Sequence, residues 1–204
     1  MLDAALIQQC ADPSLKPAIV EQFVATVGST DPFAVTVKAG GRLILVPKPK
    51  TPEEAMGIVR ENVGHAIVRV GLTQMPAGIG ITDLAQLSSD LVDPCANLKA
   101  GTAMFAKILR IVAKWYGNPA DDVFPQVFED ASYAWRTGSF EGENVFQAGD
   151  PGGQIAVGAT DGAGSAGDAA KQGPVRHADA VTEEPDIGSA TIRVDLSRLQ
   201  GTAR

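Results

Sequence analysis

The chain is poor in the residues from which metal, redox and nucleotide sites are built. It has two cysteines, Cys10 and Cys95, and two histidines, His65 and His177. Neither pair shows the close spacing of zinc or redox motifs, so we predict no metal site. No glycine-rich phosphate loop and no Ser-His-Asp arrangement is present either, so we expect no cofactor.

Positive charge is also scarce. The sequence has 17 Lys and Arg residues against 24 Asp and Glu residues, which gives a net charge of −7. Basic residues are scattered, with local basic character only at Lys48, Lys50 and Arg136. Proteins that hold a phosphate backbone need a clustered basic surface, so we expect no direct binding of nucleic acid.

Long apolar runs are absent as well. No stretch is long enough to cross a bilayer, so no transmembrane segment is predicted. Residues 1–10 lack the basic start and the uninterrupted apolar stretch of a signal peptide. Taken alone, these features favour the cytoplasm.

The apolar residues that are present concentrate in the first part of the chain. They make up 45% of the sequence, which is enough for one domain with a core. Residues 148–188 are mostly Gly, Ala, Asp and Ser, which cannot bury enough surface to offset the entropy of ordering. We therefore predict a folded domain over 1–147 and a disordered tail over 148–204. Within that tail, residues 190–196 alternate like a strand; a docking segment and a short amphipathic stretch both remain open.

Apolar periodicity predicts helices over residues 3–10, 14–27, 51–62, 93–116 and 125–137. Ser14, Thr51 and Asp93 are the predicted N-caps, each with a proline in the turn that follows. Glu54 is predicted to complete a capping box with Thr51.

Short β-rich pieces and glycines complete the pattern. Gly40 and Gly41 predict a hairpin, and Gly28 and Gly138 are the predicted C-caps of two helices, with Gly28 in the left-handed conformation. The predicted strands are 33–37, 43–46 and 66–70. The expected fold class is α+β, mostly helical with a small antiparallel sheet.

Three motifs follow the helix that ends at Gly28: Gly71 to Gln74, Asp93 to Asn97 with Gly101 in the next turn, and Ala134 to Gly138. Their order resembles the lytic-transglycosylase-like proteins of type IV secretion systems. It is more closely similar to TraH-type conjugal transfer proteins of plasmids in rhizobia and agrobacteria. The resemblance covers about residues 10–140. It implies a lysozyme-like fold, a periplasmic location, peptidoglycan glycan strands as ligand, and other conjugal transfer proteins as partners.

One position departs from the family pattern. The first long helix of the family ends in Glu-Ser, whereas this chain has Gly28 and then Ser29. The reaction needs a carboxylic acid that protonates the leaving oxygen, and glycine cannot do this. The resemblance therefore implies a non-catalytic protein that binds peptidoglycan or acts as a scaffold. An active transglycosylase that uses another acid is one alternative, and a protein-interaction module with a vestigial groove is the other. The carboxylates considered as substitutes, none of them well placed in the sequence, are Glu21, Asp31, Glu53 and Glu54.

The resemblance also nominates binding residues, each with a structural alternative. Gln74 would bind sugar in a groove or would satisfy a turn with its amide, and Thr73 favours a structural role. Trp135 would stack on a sugar ring or lie in the core. Arg136 would pair with a peptide-stem carboxylate or remain solvated at the surface.

The family's cysteines look paired, which makes Cys10 and Cys95 a candidate disulfide. Two reduced, buried cysteines are the alternative, and they are the expected state if the protein stays in the cytoplasm.

Overall fold

The computed structural model describes residues 2–117 and 121–153. Within them the fold is α+β, as the sequence predicts. Five α-helices are present in the described residues: α1 (Ala4–Cys10), α2 (Pro17–Val27), α3 (Pro52–Asn62), α4 (Pro94–Trp115) and α5 (Phe124–Thr137). Most of the predicted tail, including residues 190–196, lies outside the described residues.

A small antiparallel sheet accompanies the helices. Its four strands run in the order β2-β1-β3-β4, and each neighbouring pair is antiparallel. Gly40 and Gly41 form the predicted hairpin turn between β1 and β2, and both have positive φ. A second hairpin, β5–β6, follows α5; it was not predicted, nor was β4. The strands are β1 (Val35–Ala39), β2 (Arg42–Ile44), β3 (Ile67–Val70), β4 (Met75–Pro76), β5 (Ser139–Phe140) and β6 (Glu143–Asn144).

Buried side chains form two clusters. The larger one joins α1, α2, α4 and α5 and contains an aromatic centre, Phe23, Phe105 and Trp135. The rings of Phe23 and Phe105 stack with centroids 4.0 Å apart, and Trp135 meets Phe23 edge-on at 5.1 Å. The smaller cluster lies between the sheet and α3 and includes Val37, Val59 and Val70. One face of the sheet is thus buried, while Lys38, Leu43 and Ile67 are exposed on the other.

Local capping explains several helix boundaries. The Thr51 hydroxyl accepts the Glu54 amide proton at 3.2 Å, and the Asp93 carboxylate accepts that of Ala96 at 2.8 Å. Gly138 has φ +84 and caps α5, as predicted. The capping box was wrong, because the Glu54 carboxylate accepts from the Lys50 amide at 2.7 Å instead of returning to Thr51.

The predicted N-cap at Ser14 was also wrong. Helix α2 begins later, with Lys16 in the N-cap position and Pro17 in the first turn. The Ser14 hydroxyl and amide both donate to the Asp12 carboxylate, which holds the serine in a turn before the helix. A nearby side-chain acceptor therefore outcompetes the capping role.

A disulfide links Cys10 at the end of α1 to Cys95 in the first turn of α4. The two Cα atoms are 5.1 Å apart, and the residues are separated by 85 positions in the sequence. The bond therefore ties the N-terminal helix to the longest helix of the described residues.

The chain after β6 returns to α4. Lys107 donates through its ammonium to the carbonyls of Phe146 and Ala148, each at 3.0 Å. The Arg110 guanidinium forms two hydrogen bonds to the Asp150 carboxylate. Ordered contacts thus continue past residue 147. Among the described residues, no helix is long and apolar enough to cross a membrane.

Candidate functional site

The loop between β3 and β4 is where the three sequence motifs meet. It contains Gly71 with φ +76 and Gln74 with φ +49, and the backbone amide of Gln74 donates to the Gly71 carbonyl at 3.2 Å. Residues 71–74 together with Asn97, Gly101 and Trp135 form what we call the motif junction.

Asn97 is the polar centre of the motif junction. Its side-chain oxygen accepts from the amide and the hydroxyl of Thr73, at 3.0 and 2.9 Å. Its side-chain nitrogen donates to the carbonyls of Val70 and Leu91, at 3.1 and 2.8 Å. Asn97 and Thr73 are both buried, and every polar atom of the Asn97 side chain is satisfied.

Two glycines allow this close approach of α4 to the loop. A Cβ atom at Gly71 would lie 2.4 Å from the Asn97 side-chain nitrogen. A Cβ atom at Gly101 would lie 2.3 Å from the Thr73 hydroxyl oxygen. Any larger residue at either position would push the helix and the loop apart.

Trp135 enters the junction from α5. Its indole is fully buried, and Nε1 donates to the Thr73 carbonyl at 3.2 Å. The ring packs against Phe23 and Phe105 in the larger cluster. This placement corresponds to the core alternative, and no face of the indole is open to a sugar.

The Gln74 side chain is likewise hydrogen-bonded to other groups of the protein. Its side-chain nitrogen donates to the carbonyls of Gly71 and Ala34, at 3.0 and 3.3 Å. Its amide oxygen accepts from the Thr36 hydroxyl at 2.7 Å. The side chain is buried and satisfies the turn, so this geometry corresponds to the turn alternative.

Arg69 lies beside the motif junction and was not predicted from the sequence. From β3 its guanidinium donates to the Gln74 carbonyl at 3.0 Å and to the Trp135 and Arg136 carbonyls at 2.6 and 2.9 Å. Burial lowers the pKa of Arg69 to about 10. Among the described residues, no carboxylate forms an ion pair with it. The sequence signal was a single arginine inside the apolar segment Ile67–Val70.

Arg136 contributes through its backbone, because its carbonyl accepts from Arg69. Its side chain is exposed. In the described residues it makes no hydrogen bond and no ion pair, which corresponds to the solvated alternative.

Gly28 ends α2 but not in the predicted conformation. Its φ is −94°, so the left-handed prediction was wrong. A Cβ atom at Gly28 would lie 2.3 Å from the Leu72 carbonyl oxygen, and the Ser29 amide donates to the same oxygen at 2.8 Å. Glycine is therefore required here by close backbone packing.

The carboxylates considered as substitute acids lie outside the junction's hydrogen bonds. Asp31 pairs with Lys48 at 3.2 Å and accepts the Phe33 amide proton at 3.0 Å. Glu21 and Glu53 are exposed, and Glu54 is bound to the Lys50 amide. In the part of the chain that the structure describes, no carboxylate hydrogen-bonds to a residue of the motif junction.

A cleft of about 190 Å³ adjoins the junction beside Asn97. Asp90 is the one titratable residue among those that line it. Ligand pockets usually enclose about 300–1,000 Å³, so this cleft is small for a pair of sugar rings. It is lined mostly by apolar side chains from β4, the segment before α4, and α4 itself.

The fold and the junction define a small α+β protein whose three sequence motifs contact one another. The chain belongs to the TraH_2 family, whose model matches residues 1–201. The predicted resemblance to TraH-type proteins is thereby confirmed, and the family places the chain in a role related to conjugal transfer.

A relative in Sinorhizobium fredii (strain NBRC 101917 / NGR234), described as "Uncharacterized protein y4dP", is 60% identical over 207 residues. The similarity covers 99% of this chain and 100% of that protein. No solved structure matches the chain significantly.

Proposed function

We propose that the chain is a non-catalytic component of the conjugal transfer apparatus, derived from a lytic transglycosylase with a lysozyme-like fold. The contact between Gly28 and the Leu72 carbonyl carries this proposal. A Cβ atom at the position of the family's glutamate would lie 2.3 Å from that oxygen. A general acid must come within about 3 Å of the atom it protonates, and this position supplies no acid.

Scaffolding is the role that the motif junction supports best. Asn97 uses its whole hydrogen-bonding capacity on Thr73 and on backbone carbonyls. Trp135 and Gln74 are buried and satisfied by the protein itself. The junction therefore stabilises the contact between the sheet and the helices and has little polar capacity left for a ligand.

Peptidoglycan binding is the second candidate, and the open face of the sheet favours it. The strand register places Leu43, Lys38 and Ile67 in one row across β2, β1 and β3. Thr36 and Arg69 form the next row on the same face, beside Gln74. A glycan strand lying along this face would contact the exposed row of Leu43, Lys38 and Ile67 next to the motif junction, since Thr36 and Arg69 are already hydrogen-bonded within the protein.

The disulfide supports a periplasmic location. Disulfides form and persist in oxidising compartments and are rare in the cytoplasm. The Cys10–Cys95 bond joins two helices of the described domain, so its formation bears directly on folding.

A peptidoglycan-release assay with purified protein and isolated cell walls, and a conjugation assay in cells, test the proposal. We expect no release of anhydro-muropeptides from peptidoglycan. Release that is abolished by Glu21→Gln, Asp31→Asn, Glu53→Gln or Glu54→Gln would identify a catalytic acid and overturn the non-catalytic assignment. A conjugation assay with all four substitutions together should give the parental transfer frequency, provided that the protein folds.

A pelleting assay with insoluble peptidoglycan separates binding from scaffolding. Ile67→Ser on the open sheet face should weaken pelleting if glycan lies there. Leu84→Ser, at an apolar residue of comparable exposure in the segment before α4, is the matched control and should leave pelleting unchanged. Absence of pelleting in the parent protein would remove the glycan candidate and leave scaffolding.

A further inference from the structure

Two clefts share the side chain of Trp115, on a part of the surface that the motif junction does not use. The larger has a volume of about 590 Å³ and the smaller about 320 Å³. Both volumes fall within the range of about 300–1,000 Å³ typical of ligand pockets. Three residues line both clefts: Trp115, Phe140 and Glu141.

Aromatic side chains are unusually open here. Trp115 is 58% exposed and Tyr133 is 59% exposed, and both line the smaller cleft. Tyr116 and Phe140 meet the Trp115 ring edge-on, with centroids 5.0 and 5.6 Å away. These two neighbours hold the indole in place while more than half of the residue remains in contact with solvent.

Negative charge surrounds these rings. Glu141 and Glu143 line the larger cleft, and neither has an ion-pair partner among the described residues. Asp130 lines the smaller cleft and accepts hydrogen bonds from Tyr116 and Gln126, both uncharged donors.

Positive charge does not balance these carboxylates. Of the described residues that line the two clefts, Lys114 is the one cation. Asp150, which also lines the larger cleft, is already paired with Arg110. Trp115 is also the last residue of α4, where the helix dipole adds partial negative charge.

We propose that the two clefts around Trp115 bind a basic, extended segment of a partner protein. A Lys or Arg side chain would lie against the exposed part of the Trp115 indole, and Glu141 and Glu143 would pair with neighbouring basic residues. Aromatic faces attract cations through their quadrupole, and unpaired carboxylates add to that attraction. A nucleic acid would be repelled by the same carboxylates. A neutral glycan could use the rings but would gain nothing from the charge.

This inference is independent of the proposed function, because it concerns a different surface and a protein ligand. The probe is a short oligo-arginine peptide, titrated into the full-length protein by calorimetry at low and at physiological salt. Tryptophan fluorescence locates the site, because Trp115 is exposed whereas Trp135, the other tryptophan, is fully buried.

We expect Trp115→Ala to raise the Kd about three- to tenfold, and Trp115→Phe to retain most of the affinity. Glu141→Gln with Glu143→Gln should weaken binding and also reduce its salt dependence. The matched control is Glu53→Gln, an exposed carboxylate at the start of α3, which should leave the Kd unchanged. Circular dichroism checks that each variant folds.

Three results would overturn the inference. The first is an equal loss of affinity in Glu53→Gln, which would indicate general attraction to an acidic protein. The second is binding of chitooligosaccharide, lost in Trp115→Ala, without binding of oligo-arginine; the clefts would then be a glycan site. The third is no binding of either probe.

Discussion

Gly28 lies directly against the backbone carbonyl of Leu72. A Cβ atom at Gly28 would be 2.3 Å from that oxygen, which also accepts the Ser29 amide proton. The contact joins the end of α2 to the loop between β3 and β4. Packing alone therefore demands glycine at this position.

Replacing Gly28 with alanine should cost about 1–3 kcal/mol of stability, because a backbone oxygen cannot move aside as a side chain can. Gly57→Ala in α3 is the matched control. Beyond the adjacent residues and the backbone of α3 itself, no atom of the described residues lies within 4 Å of a Cβ at Gly57, so this change should stabilise by up to about 1 kcal/mol. Urea denaturation of both variants measures the difference, and similar stabilities would contradict the packing argument. Gly28→Glu meets the same oxygen, so a glutamate at this position requires a backbone shift.

Arg69→Met should destabilise the domain by about 1–3 kcal/mol, because three backbone carbonyls lose their donor. Arg69→Lys should fall between parent and Arg69→Met, since an ammonium cannot reproduce the guanidinium fork. Arg60→Met at the exposed end of α3 should stay within about 0.5 kcal/mol of the parent. Thermal denaturation ranks the three variants, and an Arg69→Met protein as stable as Arg60→Met would refute this role.

Removing the disulfide by Cys10→Ser with Cys95→Ser should lower stability by about 2–5 kcal/mol, since the bond restricts a long loop in the unfolded chain. A reducing agent should lower the stability of the parent by a similar amount and leave the double variant unchanged. An effect of the reducing agent on the double variant would show that the change does not come from this bond.

Asp150 should make stability depend on pH in the acid range. Its hydrogen bond to Arg110 lowers the carboxyl pKa from the ordinary value of 3.8. A carboxyl whose folded pKa lies below its unfolded pKa contributes stability above the unfolded value. That contribution is lost as the pH falls through the folded pKa, here below 3.8.

Asp150→Asn should therefore be less stable than the parent at pH 7, and the difference should shrink at pH 3. Because Asp150 is partly exposed, the contribution should stay below about 1 kcal/mol. Asp122→Asn, an exposed carboxylate without an ion-pair partner in the described residues, is the control. A parent–Asp150→Asn difference that does not change between the two pH values would contradict the assignment.

Two C-terminal truncations, after Gly153 and after Gln147, should differ in melting temperature. A chain that ends after Gly153 should keep the melting temperature of the full protein, because the Gly-rich composition beyond it offers little to bury. A chain that ends after Gln147 loses the contacts of Ala148 and Asp150 with α4. Its Tm should fall by about 2–4 °C for each kcal/mol lost. Equal melting temperatures for both truncated chains would mean that residues 148–153 contribute nothing.

The sequence predicted those features that depend on neighbours in the chain. Thr51 and Asp93 cap their helices because the amides they satisfy are only a few residues away. The predicted N-cap at Ser14 was wrong because a competing acceptor lies nearby, the Asp12 carboxylate to which Ser14 donates.

The motif junction was less predictable, because its contacts join residues far apart in the sequence. Arg69 binds carbonyls of α5, and Gly28 meets Leu72 from another element. Motif order placed Thr73, Gln74 and Trp135 in one region but could not say whether their polar groups face a ligand or one another. That distinction depends on backbone spacing between elements, which a single sequence does not contain.

The disulfide also has a consequence for the order of events during synthesis. Cys10 leaves the ribosome 85 residues before Cys95. At about 5–20 residues per second, the first thiol waits several seconds without a partner in its own chain. With two cysteines, only one intramolecular pairing exists. Errors of oxidation would therefore be covalent dimers or mixed disulfides, which are visible on a non-reducing gel, and never a scrambled monomer.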